Sequence, residues 1–535
     1  MNKTILKSAF LFLLGGSIML SSCTKDLDRF PTNDNTEEIV FSTYDGYQKA
    51  LAKVYGSMAL TGNQGPAGNG DIQGIDEGTS DFVRLYWWMQ EISTDEAVVQ
   101  VGWNDPGIHF FHPMNWTTDN VIIKGLYYRS LYQIGLANDF IRQASDANLS
   151  KRGITGANAD AIRKNVLEVR FLRAFQNSVL MDLFGNPPYV TETDLPGVSL
   201  PAQIQRAALF NKVETELLAL ESTIAPASPA DYGRANQSAV RALLARIYLN
   251  AEVFTGTARW NDAATYAAKV LGDGYALLPD YRQLMLADNN VNNSEFIFTV
   301  NYDGLRTKGY GGTTFLTHAS VGGSMIAANS GIGGGWGGIR TTKNLPNLFA
   351  DVTGATDQRA QFYTNGQSLE LTGEPAPAFT EGYAVTKYRN LTRSGAQGSS
   401  PDFADVDFPL FRSAEMNLIY AEAVVRGAST GNTAQAVNYI NNLRTRAWGG
   451  SNAGNITATD LNLDFIIDER GRELYWEGFR RTDLVRFNQF TTADYLWPWK
   501  GGVSSGTAVP SFRNLFPIPV SDINANSNLV QNPGY

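Results

Sequence analysis

A single cysteine, Cys23, stands in a chain of 535 residues. No disulfide can close within such a chain, so whatever fold it adopts is held by packing and polar pairing alone. The position of that cysteine narrows matters further. Lys3 and Lys7 open a short basic start, an apolar stretch runs from Ala9 to Leu20, and Ser21 and Ser22 precede Cys23. This is the three-part layout of a secretory signal over 1–22, its apolar core too short for a membrane span.

Leu20-Ser21-Ser22-Cys23 resembles a lipobox, the site at which a diacylglycerol thioether is attached to the cysteine and the chain is cut before it. The sequence therefore predicts a lipidated Cys23, followed over 23–40 by a polar, charged tether. Asp26 and Asp28 lie just behind the anchor, as in the surface-export signal of bacterial lipoproteins. Several acyl chains such as palmitate hold firmly, because each buried methylene contributes about 0.8 kcal/mol. No later segment has the run of apolar residues that a spanning helix needs, so the expected protein lies on a membrane rather than across one.

Hydrophobic residues at 43% and charged residues at 18% describe a globular chain. A net charge of −9 with no basic stripe argues against a nucleic-acid partner. Helical periodicity dominates the first half: 44–58, 121–144 with Thr118-Asp119 as cap, 157–184 ending at Gly185, and 204–220. Ala-rich segments 236–254 and 260–271 read as a helical hairpin of tetratricopeptide type, and 414–425 with 434–446 as a weaker one. Segments 62–78, 86–115, 288–338 and 365–405 lack periodicity yet carry Trp87, Trp88, Trp103, Trp116, Tyr302, Tyr310 and Trp336. Loops this long and this aromatic are expected to be ordered and functional.

Two catalytic readings are weak. Glu473 and Glu477, four apart on one expected helix face, could be a glycosidase pair. Arg470, Arg472, Arg480, Arg481 and Arg486 surround them and would depress both carboxyls, removing the general acid. The loop histidines His109 and His112, with His318 the only other, lack the helical spacing of a zinc protease. The run Gly333-Gly334-Gly335-Trp336-Gly337-Gly338 lacks the lysine of a phosphate loop. It makes better sense as a display loop, since glycines add almost no side-chain bulk around one indole and its face can then meet a flat ligand. The C–H face of a pyranose suits the negative face of an aromatic ring, while hydroxyls at the sugar's edge need Asn, Arg or Asp.

The run from Asp468 through Glu473, Glu477 and Arg480 to Phe487, the closing Phe516-Pro517-Ile518-Pro519 and Gln531-Asn532-Pro533-Gly534-Tyr535, and Glu168 to Ala174 with Asp182-Leu183-Phe184-Gly185 carry a resemblance. Together they resemble the SusD/RagB family of outer-membrane nutrient-binding lipoproteins. Ile75 to Ser80, Thr94-Asp95-Glu96 and Trp497 to Gly502 are similar to the family's starch-binding founder.

The resemblance implies a mainly α, SusD-like fold: several tetratricopeptide-type helix pairs, long irregular loops and a few short strands. It implies one unit over 41–535, with a helical part over about 41–285 and a RagB/SusD part over about 286–535. It also implies a surface lipoprotein of the outer membrane, facing the exterior, that delivers starch-like oligosaccharides to a SusC-like TonB-dependent barrel. Tyr310 and Trp336 match two of three positions of an aromatic arc, and Asp71, Arg84 and Asn104 match its polar ligands. The third arc position falls near Val101, leaving Trp103 as the nearest replacement. Asp405 and Asp407, with Asp288 and Asn290, match a structural calcium site. No other cofactor and no catalytic residue is implied. The rival expectations are a RagB-like peptide binder and a surface glycoside hydrolase.

Overall fold

Alanines decide how the helices of this chain pack. The structure is a computed structural model describing residues 37–66, 69–226 and 232–535, so the signal, Cys23 and most of the tether lie outside the described residues. After a single helical turn at Glu37–Val40, helix α1 (Tyr44–Gly56) is capped by Thr43, whose side chain accepts from the Gly46 N–H. A short α2 (Phe82–Trp87) continues into a π-helical turn at Trp88–Ile92. Thus part of the aperiodic segment 86–115 is helical after all.

The long helices α3 (Val121–Gln143), α4 (Gly156–Phe184) and α5 (Arg206–Glu221) pack in succession. Asn120, rather than Thr118-Asp119, caps α3, its side chain accepting from the Ile122 and Ile123 N–H groups. Next come α6 (Gln237–Leu249) and α7 (Trp260–Gly272). The faces carrying Ala239, Ala242 and Ala245 on α6, and Ala263, Ala264 and Ala267 on α7, are buried. Methyl-sized side chains let two helices approach closely, as tetratricopeptide pairs require. The expected helix over 236–254 breaks at Asn250, where a separate short helix, Ala251–Thr255, begins.

A further short helix, α8 (Gly312–Ala319), lies inside the segment expected to be loop. α9 (Ser413–Val425) and α10 (Thr433–Ala447) form the second hairpin, and α7 packs against α9. Helix α11 (Leu463–Leu474) and the short α12 (Arg480–Arg486) follow. Among the described residues six short strands make three antiparallel pairs: β1 (Val98–Val99) with β3 (Ile339–Arg340), β2 (Phe296–Val300) with β6 (Phe408–Arg412), and β4 (Phe362–Tyr363) with β5 (Ala384–Val385). The mainly α reading holds.

Behind β6 lies a fully buried ionic cluster. Arg412 reaches Glu295 and Glu473 at 2.7 Å each and Glu477 at 2.6 Å. Arg446 reaches Glu473 at 2.5 Å, Arg359 reaches Glu469 at 2.8 Å, and Lys387 reaches Glu477 at 2.6 Å. Burial would raise the Glu473 pKa, but Arg446, Arg412 and Arg359 outweigh it and hold the carboxyl at about 2. Glu477 is not on the helix face expected for it: α11 ends at Leu474, and Trp476 and Gly478 take left-handed backbone conformations (φ 63° and 83°). Both carboxylates have no exposed side-chain surface, which removes the pair as a glycosidase constellation. The structural ion-pair reading is the one the geometry bears out.

The same turn closes the molecule on its amino-terminal half. Glu91 accepts from the Gly478 and Phe479 N–H groups at 2.6 and 3.1 Å. Glu96 accepts from the Trp476 N–H at 3.0 Å, and Arg480 grips Asp95 with two contacts of 2.8 Å. Glu91 and Glu96 are both buried, and the charge of Glu91 adds to the cost of ionising Glu96. Burial drives both pKa values upward, that of Glu91 to about 7.

Candidate functional site: an aromatic platform

Strand pairing sets the site. In the β1–β3 pair, Val98 faces Arg340 and Val99 faces Ile339. The chain leaving β1 therefore runs beside the chain entering β3. The Gln100 N–H donates to Gly338 O at 2.8 Å, and a tight turn brings the Trp103 N–H to Gln100 O at 3.0 Å. Trp103 and Trp336 are thereby neighbours, ring centroids 6.1 Å apart and planes tilted by 47°. Glycine is required where they meet. A Cβ on Gly338 would lie 1.7 Å from Cε3 of Trp103.

Helix α8 is the scaffold beneath both rings. Phe315 and His318, three residues apart and so on one face of the helix, underlie the two indoles. Phe315 meets Trp103 edge-on at 6.0 Å, and His318 stacks on Trp336 at 4.9 Å and 26°. His318 Nδ1–H donates to Gly334 O at 2.7 Å, pinning the glycine loop. Burial keeps its imidazole below the usual pKa. The Trp336 N–H donates to His318 O at 2.9 Å.

Tyr310 enters just before α8. The turn into the helix passes Gly312 at φ 54°, where a Cβ would strike the Tyr302 hydroxyl at 2.2 Å. The Tyr310 ring is 6.3 Å from Trp336 and tilted by 66°, with 40% of the residue exposed. Trp103, Trp336 and Tyr310 thus form one continuous row of rings, each turned relative to the last. The three ring planes are therefore not parallel.

The six polar and aromatic expectations do not all meet. Arg84 on α2 lies beneath the row: it donates through Nη1 to Tyr310 O at 2.8 Å and through Nη2 to Asp105 at 2.5 Å. Its guanidinium is wedged over Trp88 at 4.4 Å and Phe315 at 4.7 Å, with 4% exposure. Trp103 Nε1–H donates to the same Asp105 oxygen. One fork therefore ties the Tyr310 segment to the Trp103 loop, making Arg84 a positioning residue. Asn104 is exposed beside Trp103. Asp71 is not joined to the row: both its oxygens accept from Lys53, at 2.8 and 2.7 Å, and Arg129 lies 3.9 Å away. Val101, near the expected third position, is 51% exposed and contributes no ring.

Asp105, Phe315 and His318 were not expected. A helical i, i+3 pair could have been found had 312–319 been read as a helix, and Asp105 only by its nearness to Trp103.

The carboxylates matched to a calcium site are engaged by protein donors. Asp405 accepts from the Gly304 N–H at 2.6 Å and from Ser399 Oγ at 2.7 Å. Asp407, buried ahead of β6, accepts from the Tyr302 N–H and the Tyr232 hydroxyl at 2.7 and 2.9 Å. Asp288 accepts from the Arg393 N–H at 3.0 Å, and Asn290 is exposed. These are loop-bracing contacts with hydrogen-bond donors, and among the described residues no group of three His, Cys, Asp or Glu is arranged to hold a metal. His112 likewise turns both ring nitrogens to backbone carbonyls, of Ala97 and Pro498.

The three rings of the row are partly exposed. Clefts of about 480 and 380 Å³ are lined by other residues, among them Tyr232, Phe298 and Thr299. Among the described residues no helix is long and apolar enough to cross a membrane.

Known proteins resemble this chain from end to end. Residues 365–535 match the pattern of the SusD family. The starch-binding protein SusD of Bacteroides thetaiotaomicron is 33% identical over 582 aligned positions, covering 100% of this chain and 99% of that protein. SusD-like protein P2 of Formosa agariphila is 26% identical, covering 78% of this chain and 81% of that protein. Among solved structures, surface glycan-binding protein A of B. thetaiotaomicron, in complex with laminarihexaose, matches at TM-score 0.67 and 21% identity, over 91% of this chain and 99% of that one. A laminarin-binding SusD-like protein matches at TM-score 0.69 and 21% identity, over 92% and 99%. Identity of 33% along the full length of a starch-binding relative, joined to the carboxy-terminal match, makes this chain a member of the SusD family.

Proposed function

We propose that this chain captures oligosaccharides at a bacterial cell surface, stacking sugar rings on Trp103, Trp336 and Tyr310. The observation that carries this reading is the row itself. Three partly exposed rings, Trp103 from one segment and Tyr310 and Trp336 from another more than two hundred positions away in sequence, are brought to steps of about 6 Å and tilted relative to one another. Each step suits one pyranose against one ring, and the tilts suit a glycan that curves, as α-glucans do. Asn104 hydrogen-bonds hydroxyls at the sugar's edge, while Arg84 and Asp105 hold the rings ready, so little ordering opposes binding. Asp71, engaged by Lys53, stands apart from the row. The starch- and laminarin-binding relatives support the carbohydrate class. In this reading Cys23 carries the lipid that fixes the protein to the outer membrane, and a SusC-like TonB-dependent barrel receives the cargo. Capture rather than cleavage is the role, since the paired glutamates are buried.

The test is titration calorimetry of the soluble form starting at Thr24 against malto-, laminari-, fructo- and xylo-oligosaccharides, cyclic glucans and peptides. A variant combining Trp336→Ala and Tyr310→Ala should lose at least roughly tenfold in affinity for whichever glycan binds. Unchanged affinity refutes the site, and a response to peptides alone moves the cargo to peptides.

A further inference from the structure

The row of rings does not end at Tyr310. Phe403, half-buried, lies 6.0 Å from the Tyr310 ring at a tilt of 40°, a step close to those of 6.1 and 6.3 Å that join the other three. Its segment is fixed to the same scaffold. The Ala404 N–H donates to Thr314 Oγ1 of α8 at 3.0 Å, next to Phe315 in the sequence. The Gly333 N–H, in the loop that displays Trp336, donates to Pro401 O at 2.9 Å. Asp405 then braces the far side through Gly304 and Ser399.

Asp402 lies between Phe403 and the glycine loop. Its Oδ1 falls 3.7 Å from where a Cβ of Gly333 would sit, so the missing side chain leaves room beside the carboxylate. Asp402 is exposed, and its carboxylate accepts no hydrogen bond among the described residues. A ring that continues the platform and an unengaged acceptor at its edge are the two elements of a sugar subsite.

We infer that Pro401–Asp402–Phe403 forms a fourth subsite, which stacks one further hexopyranose of a longer oligosaccharide on Phe403 and accepts its hydroxyls at Asp402. This inference rests on the carbohydrate-capture reading above. Its consequence is length discrimination. A glycan long enough to reach from Trp103 past Tyr310 gains this contact, and a shorter one does not.

Calorimetry with trisaccharides and heptasaccharides of the malto, laminari, fructo and xylo series tests it, on the wild type, Phe403→Ala, Phe403→Leu, Asp402→Asn and Trp336→Ala, each checked by thermal unfolding. For the series that binds, Phe403→Ala and Phe403→Leu should weaken the heptasaccharide by roughly three- to tenfold while leaving the trisaccharide unchanged. Asp402→Asn should show the same length dependence, more weakly. Leucine keeps apolar packing against Tyr310 without offering a ring. An Ala variant that weakens both lengths, with Leu restoring both, would make Phe403 a mere buttress and overturn the subsite. Silence of every Phe403 and Asp402 variant while Trp336→Ala abolishes binding overturns this inference alone. Silence of Trp336→Ala, or no binding by the wild type, overturns the reading on which it rests.

Discussion

Gly338→Ala should disable the glycan platform without touching a ligand. The φ of Gly338 is outside the left-handed region, so alanine meets no backbone penalty there. Its Cβ, however, would lie 1.7 Å from Cε3, 2.0 Å from Cζ3 and 2.8 Å from Cδ2 of Trp103. Restoring ordinary carbon–carbon contact requires the indole to move by about 2 Å. Such a shift parts Trp103 Nε1–H from Asp105 and the ring from Phe315 and Trp336. If stacking on one ring contributes about 1–2 kcal/mol, the loss in affinity is roughly 5- to 30-fold. Calorimetry on wild type, Gly338→Ala, Trp103→Ala and the double variant makes the test a cycle. The two single variants should lose similar affinity, and the double variant no more than either. Wild-type affinity in Gly338→Ala beside a large loss in Trp103→Ala would refute the argument that this glycine holds the indole in place.

Other outcomes follow from the buried polar groups. Arg84→Lys should lose glycan affinity nearly as far as Arg84→Ala, because a single ammonium cannot bridge Tyr310 O and Asp105 as the fork does; wild-type binding by the lysine variant counts against a positioning role. Glu473 has a folded-state pKa of about 2, below its ordinary 4.5, so its ionisation stabilises the fold above that ordinary value. That contribution, on the order of 3 kcal/mol, should vanish as pH falls from about 4.5 to 2, and denaturant unfolding across that window should show it in wild type but not in Glu473→Gln. Glu96 behaves oppositely. Its pKa is raised by burial, then by Glu91, so its share of stability is present below the ordinary carboxylate range and lost as pH rises through it. Glu96→Gln, which mimics the protonated acid, should unfold at nearly the wild-type midpoint at pH 5 and lose less stability between pH 5 and 8.

Helix pairs were the most legible part of the chain. Alanines at 242, 245, 263, 264 and 267 announced the crossing of α6 and α7, because small residues at helical spacing have few other uses. Short helices were not legible. α8, with eight residues among glycines and threonines, shows too little periodicity to stand out, yet it carries Phe315 and His318 under the platform. Trp336 could be picked out because the glycines around it are otherwise hard to explain. Whether Trp103 would stand in for the ring missing at Val101 depended on a strand pair of two residues each, β1 with β3, which no local pattern specifies. The donors that engage Asp71 and the calcium candidates were not legible either: sequence shows which carboxylates exist, but not which donor reaches them.

The turn at 476–480 has a bearing on when the chain can fold at all. Trp476, Gly478, Thr482 and Arg480 satisfy Glu96, Glu91, Gln90 and Asp95 across separations of 380 to 392 residues. Until the ribosome has made nearly the whole polypeptide, those amino-terminal carboxyls have no donors and cannot be buried without a heavy desolvation cost. The early part of the chain is therefore kept from closing prematurely, a useful delay in a polypeptide whose leader reads as an export signal. The same dependence means that a chain truncated before residue 476 would not be a smaller version of this protein but one whose first half has lost its last partners.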